Sequence, residues 1–534
     1  MRRPWPGSAS GWSPNHEPTR DAPDRRDFPD RSGPAVTGQL RVDQAAGRWV
    51  LTATVGGSGL AMLDSTVVNV ALERLGRDLG ADFAGLQWVI NGYTLSLAAL
   101  ILLGGALGDR FGRRRVFLIG VVWFAVASAL CGLAPTAGVL IAARVLQGIG
   151  GALLTPGSLA LIAASFRPED RSRAVGAWSG LGGVAGAIGP FVGGALVDWS
   201  WRAVFWVNVP VAAALVLITL RHVPESRDPD ASGGMDLLGA ALAVLGLAAV
   251  TFALTSLGTP GAGMAALVAG LVGVLALAAF LFVERRSPHP LVPLSMFSDR
   301  LFSGANVVTL LLYGALGVYF FLLVLQMQTV AGFSPTVAGT ALLPVTVLML
   351  LLSARSGALA DRIGPRTQMT IGPLLAAAGF LLAIRIGPGA NYLTDVLPAT
   401  VALGLGLATT VAPLTATVLA SADDHHAGVA SGINNAVARS AGLLAVAVIP
   451  VAAGLGGADY TDPVAYDAGF RRAMLIGAGL LVAASALSAV LIRPAKKGPP
   501  VARMPIPLRL AEFTHCGVTG PQLHPGVTGA APRR

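Results

Sequence analysis

Apolar runs of roughly twenty residues recur along this chain from Val50 to Ile492, broken by short polar segments. Such a run spans the ~30 Å hydrocarbon core of a bilayer as a helix rising ~1.5 Å per residue. The pattern predicts helices over 49–72, 85–107, 115–134, 138–165, 173–197, 203–221, 236–256, 262–283, 301–328, 336–359, 367–386, 395–420, 427–455 and 471–493. The expected fold class is therefore an all-α membrane protein with fourteen transmembrane helices. An even number of spans puts both termini on one side.

The polar breaks say which side. Arg110, Arg113, Arg114 and Arg115 follow the second predicted helix, and Arg167, Arg171 and Arg173 follow the fourth. Arg285, Arg286 and Arg300 follow the eighth. The alternate breaks at Ala134-Pro135, Thr259-Pro260 and Ser334-Pro335 carry no charge. Arginine-rich loops stay in the cytoplasm. This predicts a multi-pass protein of the cytoplasmic membrane with both termini inside. The acidic stretch Asp423-Asp424-His425-His426 is the one loop against the trend. Residues 1–48 are rich in Arg, Asp, Pro and Gly, lack the apolar segment of a cleavable signal, and read as a disordered cytoplasmic tail. Residues 494–534 read as a second cytoplasmic tail.

Composition narrows the function. Hydrophobic residues make up 54% of the chain and charged residues 12%, against about 25% charged in a soluble protein. A net charge of +10 invites a nucleic-acid reading, but the basic residues sit in loops and tails as topology signals, so no nucleic-acid partner is expected. Cys131 and Cys516 have no metal-ligand partner at useful spacing, and no metal site is expected. No Walker motif and no G-x-S-x-G nucleophile motif is present, so neither an enzyme nor ATP-driven export is expected. The expected partners are the lipid bilayer, a small-molecule substrate and protons, with no cofactor, a proton gradient as energy source and a monomer as the working unit.

One segment occurs twice. Gly105-Ala-Leu-Gly-Asp109-Arg110-Phe-Gly112-Arg113-Arg114 follows the second helix, and Gly357-Ala-Leu-Ala-Asp361-Arg362-Ile-Gly364-Pro365-Arg366 follows the tenth. The match divides the chain into two related six-helix bundles, 49–221 and 301–493, with two inserted helices in the linker 222–300. Parallel six-helix repeats are a transporter architecture. The glycines permit a tight turn, and Asp109 with Arg110 and Arg113 can form a charge network at the helix ends. A plain topology-setting basic loop is the other reading of the same residues.

Over about residues 48–493 the chain resembles the fourteen-helix drug:proton antiporters of the major facilitator superfamily, the EmrB/QacA type. The loop motif at Gly105 to Arg114 is one carrier of the resemblance. Others are Leu63-Asp64-Ser65-Thr66-Val67-Val68-Asn69-Val70-Ala71-Leu72 and Arg144-Val-Leu-Gln147-Gly148. Gly189-Pro190-Phe-Val-Gly193-Gly194 is similar to the family's antiporter motif, and Trp199-Ser-Trp201-Arg202 through Asn208-Val-Pro210 to a further signature. Glu73 stands where the family usually has proline. The resemblance implies that the loop motif holds a conformational state and that the Gly189-Pro190 motif goes with export. On physical grounds that glycine-rich segment is also plain helix packing. The tryptophans read first as interfacial anchors.

Charges within the spans are few, and charge in hydrocarbon usually marks a pathway or a relay. Asp64 is the acid lying well inside a predicted helix, and the histidines fall in tails or loops. Counting rise per residue puts Asp64 and Arg144 at similar depth, roughly 22 Å and about 21 Å from the cytoplasmic edge. The two are candidates for proton coupling, with a static ion pair as the alternative. Arg439, near mid-depth, resembles an arginine common in these exporters. With Asn69, Tyr93, Gln147, Asn306 and Tyr313 it is a candidate for the substrate cavity. The expected function is proton-coupled export of small amphipathic molecules such as drugs, antibiotics or secondary metabolites. An uptake symporter of the same fold and a non-transporting membrane receptor are the alternatives.

Overall fold

A computed structural model describes residues 40–227, 236–257, 261–421, 427–456 and 462–492. Most of both predicted tails, Cys516 and the acidic loop at Asp423 to His426 lie outside the described residues. The helices are α1 (Ala45–Leu79), α2 (Phe83–Phe111), α3 (Arg113–Leu133), α4 (Ala137–Ser165), α5 (Pro168–Trp199), α6 (Ala203–Trp206), α7 (Asn208–His222) and α8 (Leu237–Ser256). They continue as α9 (Gly263–Arg286), α10 (Arg300–Thr329), α11 (Pro335–Thr340), α12 (Leu343–Ile363), α13 (Pro365–Ala383), α14 (Leu397–Ala420), α15 (Ala427–Ala452) and α16 (Pro463–Leu491). Among the described residues, 12 helical segments are long and apolar enough to cross a membrane, with α6–α7 and α11–α12 each counted as one. The expectation was fourteen. The two segments not counted are α5 and α13, helices that stand where spans are predicted. Their composition explains it: α5 opens on Glu169, Asp170 and Arg171 and is diluted by glycine, and α13 is 19 residues long and opens on Pro365-Arg366.

Local chemistry sets most helix ends. Asp82, Thr136, Asp299 and Asp462 cap α2, α4, α10 and α16 by accepting hydrogen bonds from first-turn amides. Prolines open α5, α11, α13 and α16, where a missing N–H costs nothing. The first helix runs past its predicted end at residue 72. With Glu73 in place of proline nothing breaks it there; Arg77 pairs with Glu73 at 2.6 Å one turn on, and Gly80 ends it in the left-handed region at φ 62°.

The two copies of the aspartate segment adopt one turn. Gly112 between α2 and α3 has φ 110° and donates to the Gly108 carbonyl at 3.0 Å. Gly364 between α12 and α13 has φ 86° and donates to the Ala360 carbonyl at 2.8 Å.

Helices close tightly where glycine allows it. A Cβ on Gly104 would lie 2.1 Å from the Ala152 carbonyl of α4, and one on Gly406 would lie 2.4 Å from the Ala376 amide of α13. In lipid such backbone approach replaces the hydrophobic effect as the force between helices. The hairpin α8–α9 turns Met264, Leu267, Val268, Leu271, Val274 and Leu275 outward, an apolar face suited to lipid.

Candidate functional site

The charge predicted to sit deep in the fold is there, and it is paired. Nη1 of Arg144 on α4 donates to Oδ2 of Asp64 on α1 at 2.5 Å, and the two side chains are 1% and 0% exposed. Similar depth was legible in the sequence; direct contact was not. Oδ1 of Asp64 accepts two more bonds, from Nε2 of Gln147 at 2.8 Å and from Nδ2 of Asn208 on α7 at 2.9 Å. Ser128 on α3 accepts from both amides, from Asn208 at 2.9 Å and Gln147 at 3.2 Å, and donates to the Phe205 carbonyl. Arg144 also donates from Nε to the Val89 carbonyl at 3.1 Å and from Nη1 to Oε1 of Gln147 at 2.7 Å. Its guanidinium lies 4.4 Å from the centre of the Tyr93 ring. The carboxylate is thus held by three donor side chains from two helices, α4 and α7, in a buried site, where each bond is stronger than in water.

Sequence reasoning missed two members of this cage. Asn208 lies in the tryptophan-rich signature, which reads as an anchor. Trp199 is 81% exposed and fits that reading, but Trp201 is buried and donates to Asp78 at 2.9 Å. The spacing of Asn208 just before Pro210 was the available signal. Ser128 gave none. Gln147, expected on the substrate cavity, lies in the cage at 0% exposure.

The remaining cavity candidates fall in three places. Asn306 and Thr309 on α10 both accept from Nδ2 of Asn434 on α15, at 3.1 Å and 2.8 Å. Tyr93, Tyr313 and Arg439 come from α2, α10 and α15 and are electrostatic neighbours. Tyr93 donates to the Ala61 carbonyl at 3.4 Å. Asn69 donates to the Ser65 carbonyl while its Oδ1 is buried without a partner.

The antiporter-motif glycines lie against helix backbones on two sides. A Cβ on Gly189 would meet the Thr66 hydroxyl at 2.1 Å, and one on Gly193 would meet the α carbon of Val67 at 3.1 Å, both on α1. On the other side a Cβ on Gly194 would lie 2.5 Å from the α carbon of Thr336, and one on Gly339 would lie 2.1 Å from the carbonyl of Pro190, so α5 and α11 touch backbone to backbone. At the same end Gln328 on α10 donates to the Val70 carbonyl of α1 at 3.0 Å, and Thr336 donates to Asp198. A polar cavity of ≈ 390 Å³ lies there, lined by Glu73, Arg74, Arg77, Asp78, Asp198 and Gln328 among others.

At the opposite end, Asp109 pairs with Arg113 at 2.7 Å within the loop motif. The loop is held by a residue that drew no attention in the sequence. Glu225, just beyond α7, accepts from the Arg114 amide at 3.0 Å, placing a carboxylate at the start of α3. Gly105 packs near Pro156, and Arg110 lies against the Phe111 ring. In the second copy Arg362 is exposed on the last turn of α12, and the side chain of Asp361 lies outside the described residues.

Comparison with known proteins agrees with this geometry. Residues 54–447 match the Major Facilitator Superfamily. The puromycin resistance protein pur8 of Streptomyces alboniger is 38% identical over 463 residues, 83% of this chain and 91% of that protein. The tetracenomycin C resistance and export protein of Streptomyces glaucescens is 37% identical over 75% of each chain. The cephamycin export protein CmcT of Amycolatopsis lactamdurans is 34% identical, covering 83% of this chain and 92% of that one. Among solved structures, a peptide transporter POT in complex with sulfate superposes with TM-score 0.62 at 14% identity, over 85% of this chain and 98% of that one. An inward-facing bacterial homologue of the lysosomal transporter Spinster gives 0.58 at 19% identity, over 84% and 98%. These two share the fold. With the family match running through both copies of the aspartate turn, the chain belongs to the major facilitator superfamily, where it is related to the exporters that confer drug and antibiotic resistance.

Proposed function

We propose that this chain is a proton-coupled antiporter that exports small amphipathic compounds from the cytoplasm by alternating access. The supporting observation is the buried Asp64–Arg144 pair: an acid deep in the fold whose charge is balanced by a single cation. Two bundles, 49–221 and 301–493, rock about the seams that α5 makes with α11 and α1 with α10. The linker 222–300 adds α8 and α9. On this reading α5 and α13 also span, giving fourteen spans and cytoplasmic termini, as the arginine distribution supports. The backbone contacts at Gly194 and Gly339 then close the outer side, and the Asp109 turn lies on the cytoplasmic side as a latch. The chain works as a monomer in the cytoplasmic membrane.

In the coupling step Arg144 leaves Asp64 as the helices move, the carboxylate takes a proton, and re-pairing expels it to the other side. Loading substrate near Tyr93, which touches Arg144, couples the two events. The relatives' names place antibiotics such as puromycin, tetracenomycin C and cephamycins among the compounds to try. The full burial and complete bonding of Asp64 favour a second reading, a static structural pair with the proton carried elsewhere.

The test is uptake of such a panel into everted vesicles under an imposed inside-acid gradient. Accumulation of at least one compound, abolished by a protonophore, is expected. Uptake that ignores the gradient sinks proton coupling, and Asp64→Asn retaining gradient-driven uptake selects the structural pair.

A further inference from the structure

We infer that Arg439 is an anion-binding subsite, and that the exported compounds are amphipathic organic anions carrying a carboxylate, sulfonate or phenolate on an apolar body. This rests on the exporter reading above and names its substrate class.

Arg439 lies twelve residues into α15, about 18 Å along its axis by rise per residue, and so near the middle of a membrane-crossing helix. Two contacts fix how α15 faces α2. Gln87 donates to the Val446 carbonyl at 2.6 Å, and a Cβ on Gly432 would lie 2.8 Å from Cδ2 of Leu102. Antiparallel register between those points sets Arg439 opposite the turn holding Tyr93 and Thr94. Tyr313 approaches from α10, so the guanidinium lies where α2, α10 and α15 meet.

This charge is left uncompensated. Its Nε is buried with no hydrogen-bond partner, and among the described residues no carboxylate pairs with Arg439. Asp64, the acid at comparable depth, is already bound by Arg144, Gln147 and Asn208. Its titratable neighbours are the phenols of Tyr93 and Tyr313. A guanidinium in a membrane interior is costly unless a counter-charge meets it, and among the described residues no acid does so. Arg439 and Tyr313 are both only part-buried, so protein atoms do not cover them completely. A planar fork of donors matches a carboxylate or sulfonate through two parallel bonds, and a phenol beside it can donate a third. A cationic compound at the same place meets repulsion with no acid to offset it, which is how a site rejects the wrong charge.

The experiment uses the full-length chain in everted vesicles under an inside-acid gradient, with three probes: 1-anilinonaphthalene-8-sulfonate, its uncharged parent N-phenyl-1-naphthylamine, and the permanent cation ethidium. Protonophore-sensitive accumulation of the sulfonate above the other two is expected. Arg439→Gln should lower it about tenfold, the loss of one charge-assisted bidentate contact, and lower N-phenyl-1-naphthylamine far less, while Arg439→Lys keeps most of it. Accumulation of the neutral or cationic probe without the sulfonate overturns the anion site and leaves the exporter intact. An equal fall for all probes in Arg439→Gln, unrescued by lysine, makes the arginine structural and also overturns it. Failure of all three probes overturns the anion site; failure of the wider antibiotic panel as well overturns the exporter reading with it.

Discussion

Asn208 reaches Asp64 from 144 residues further along the chain and donates to Oδ1 at 2.9 Å, while the same amide donates to Ser128. One side chain therefore ties α7 to both α1 and α3 around the acid. Its neighbours in sequence are a surface tryptophan and a buried one, so the segment both marks the surface and closes the cage.

Asn208→Ala removes a donor to a buried carboxylate and opens a small void. Loss of a hydrogen bond to a buried charged group costs about 1.5–3 kcal/mol. A fall in Tm of the purified protein is expected, larger than for Asn434→Ala, whose acceptors are the uncharged Asn306 and Thr309. Equal falls for the two would mean that the Asn208 bond carries no charge assistance.

The ion pair itself calls for a double-mutant cycle. Removing one partner of a buried pair costs about 3–5 kcal/mol, because the other charge stays behind. Arg144→Gln strands the carboxylate and should be the worse of the two. Asp64→Asn leaves the guanidinium with the Val89 carbonyl and Gln147 as acceptors. The double variant should regain much of the lost Tm yet show no uphill transport. Restored uphill transport in the double variant would falsify the coupling role.

How much of this was readable beforehand depends on the range of the interaction. Helix positions follow from local apolar runs, and the Gly112 and Gly364 turns from a ten-residue motif seen twice. Depth along a helix is a one-dimensional quantity, so the shared depth of Asp64 and Arg144 is legible while their contact is not. Which faces of α3 and α7 turn inward is a matter of helix rotation, which a helix apolar all round does not encode. That is why Ser128, Asn208 and the burial of Trp201 escaped, and why Gln147 was placed on the cavity and not in the cage. Glu225 escaped for another reason: an acid in a loop is common, and its task of capping α3 exists only after α7 returns beside the turn.

The twin turns allow a matched comparison. Alanine at Gly112 or Gly364 must adopt a positive φ, a strain of about 1–3 kcal/mol. At Gly112 the added Cβ also meets the Glu225 carboxylate at 2.8 Å, whereas at Gly364 nothing lies within 4 Å. Gly112→Ala should therefore lower Tm and transport more than Gly364→Ala, and Glu225→Ala should narrow the gap. Equal effects with Glu225 intact would remove Glu225 from the loop's support.

Topology has a direct readout. Reporter fusions at Gly38 and Lys497 should both signal from the cytoplasm if the arginine-rich loops are internal. An external signal from either position breaks the fourteen-span arrangement, and with it the assignment of the Gly194–Thr336 seam to the outer face.

That seam gives the last prediction. At Gly339 a Cβ would fall 2.1 Å from the Pro190 carbonyl, and at Gly194 it would fall 2.5 Å from the α carbon of Thr336. Both obstacles are backbone, which a rotamer change cannot relieve, so Gly339→Ala must separate α5 from α11. Neither glycine touches the Asp64 cage, so Tm should fall modestly while the balance of conformations shifts toward an open outer side. A cysteine placed at Phe333, on the wall of the 390 Å³ cavity at this end, reports the opening. The buried Cys131 stays silent, and Cys516 is replaced by serine. In intact cells a membrane-impermeant maleimide should label Phe333→Cys several-fold faster when Gly339→Ala is also present, and export should slow because the outer side no longer closes. Labelling that stays unchanged in a folded double variant means that the α5–α11 contact does not control access from outside, and the rocking seam must then be sought along α2 and α15 instead.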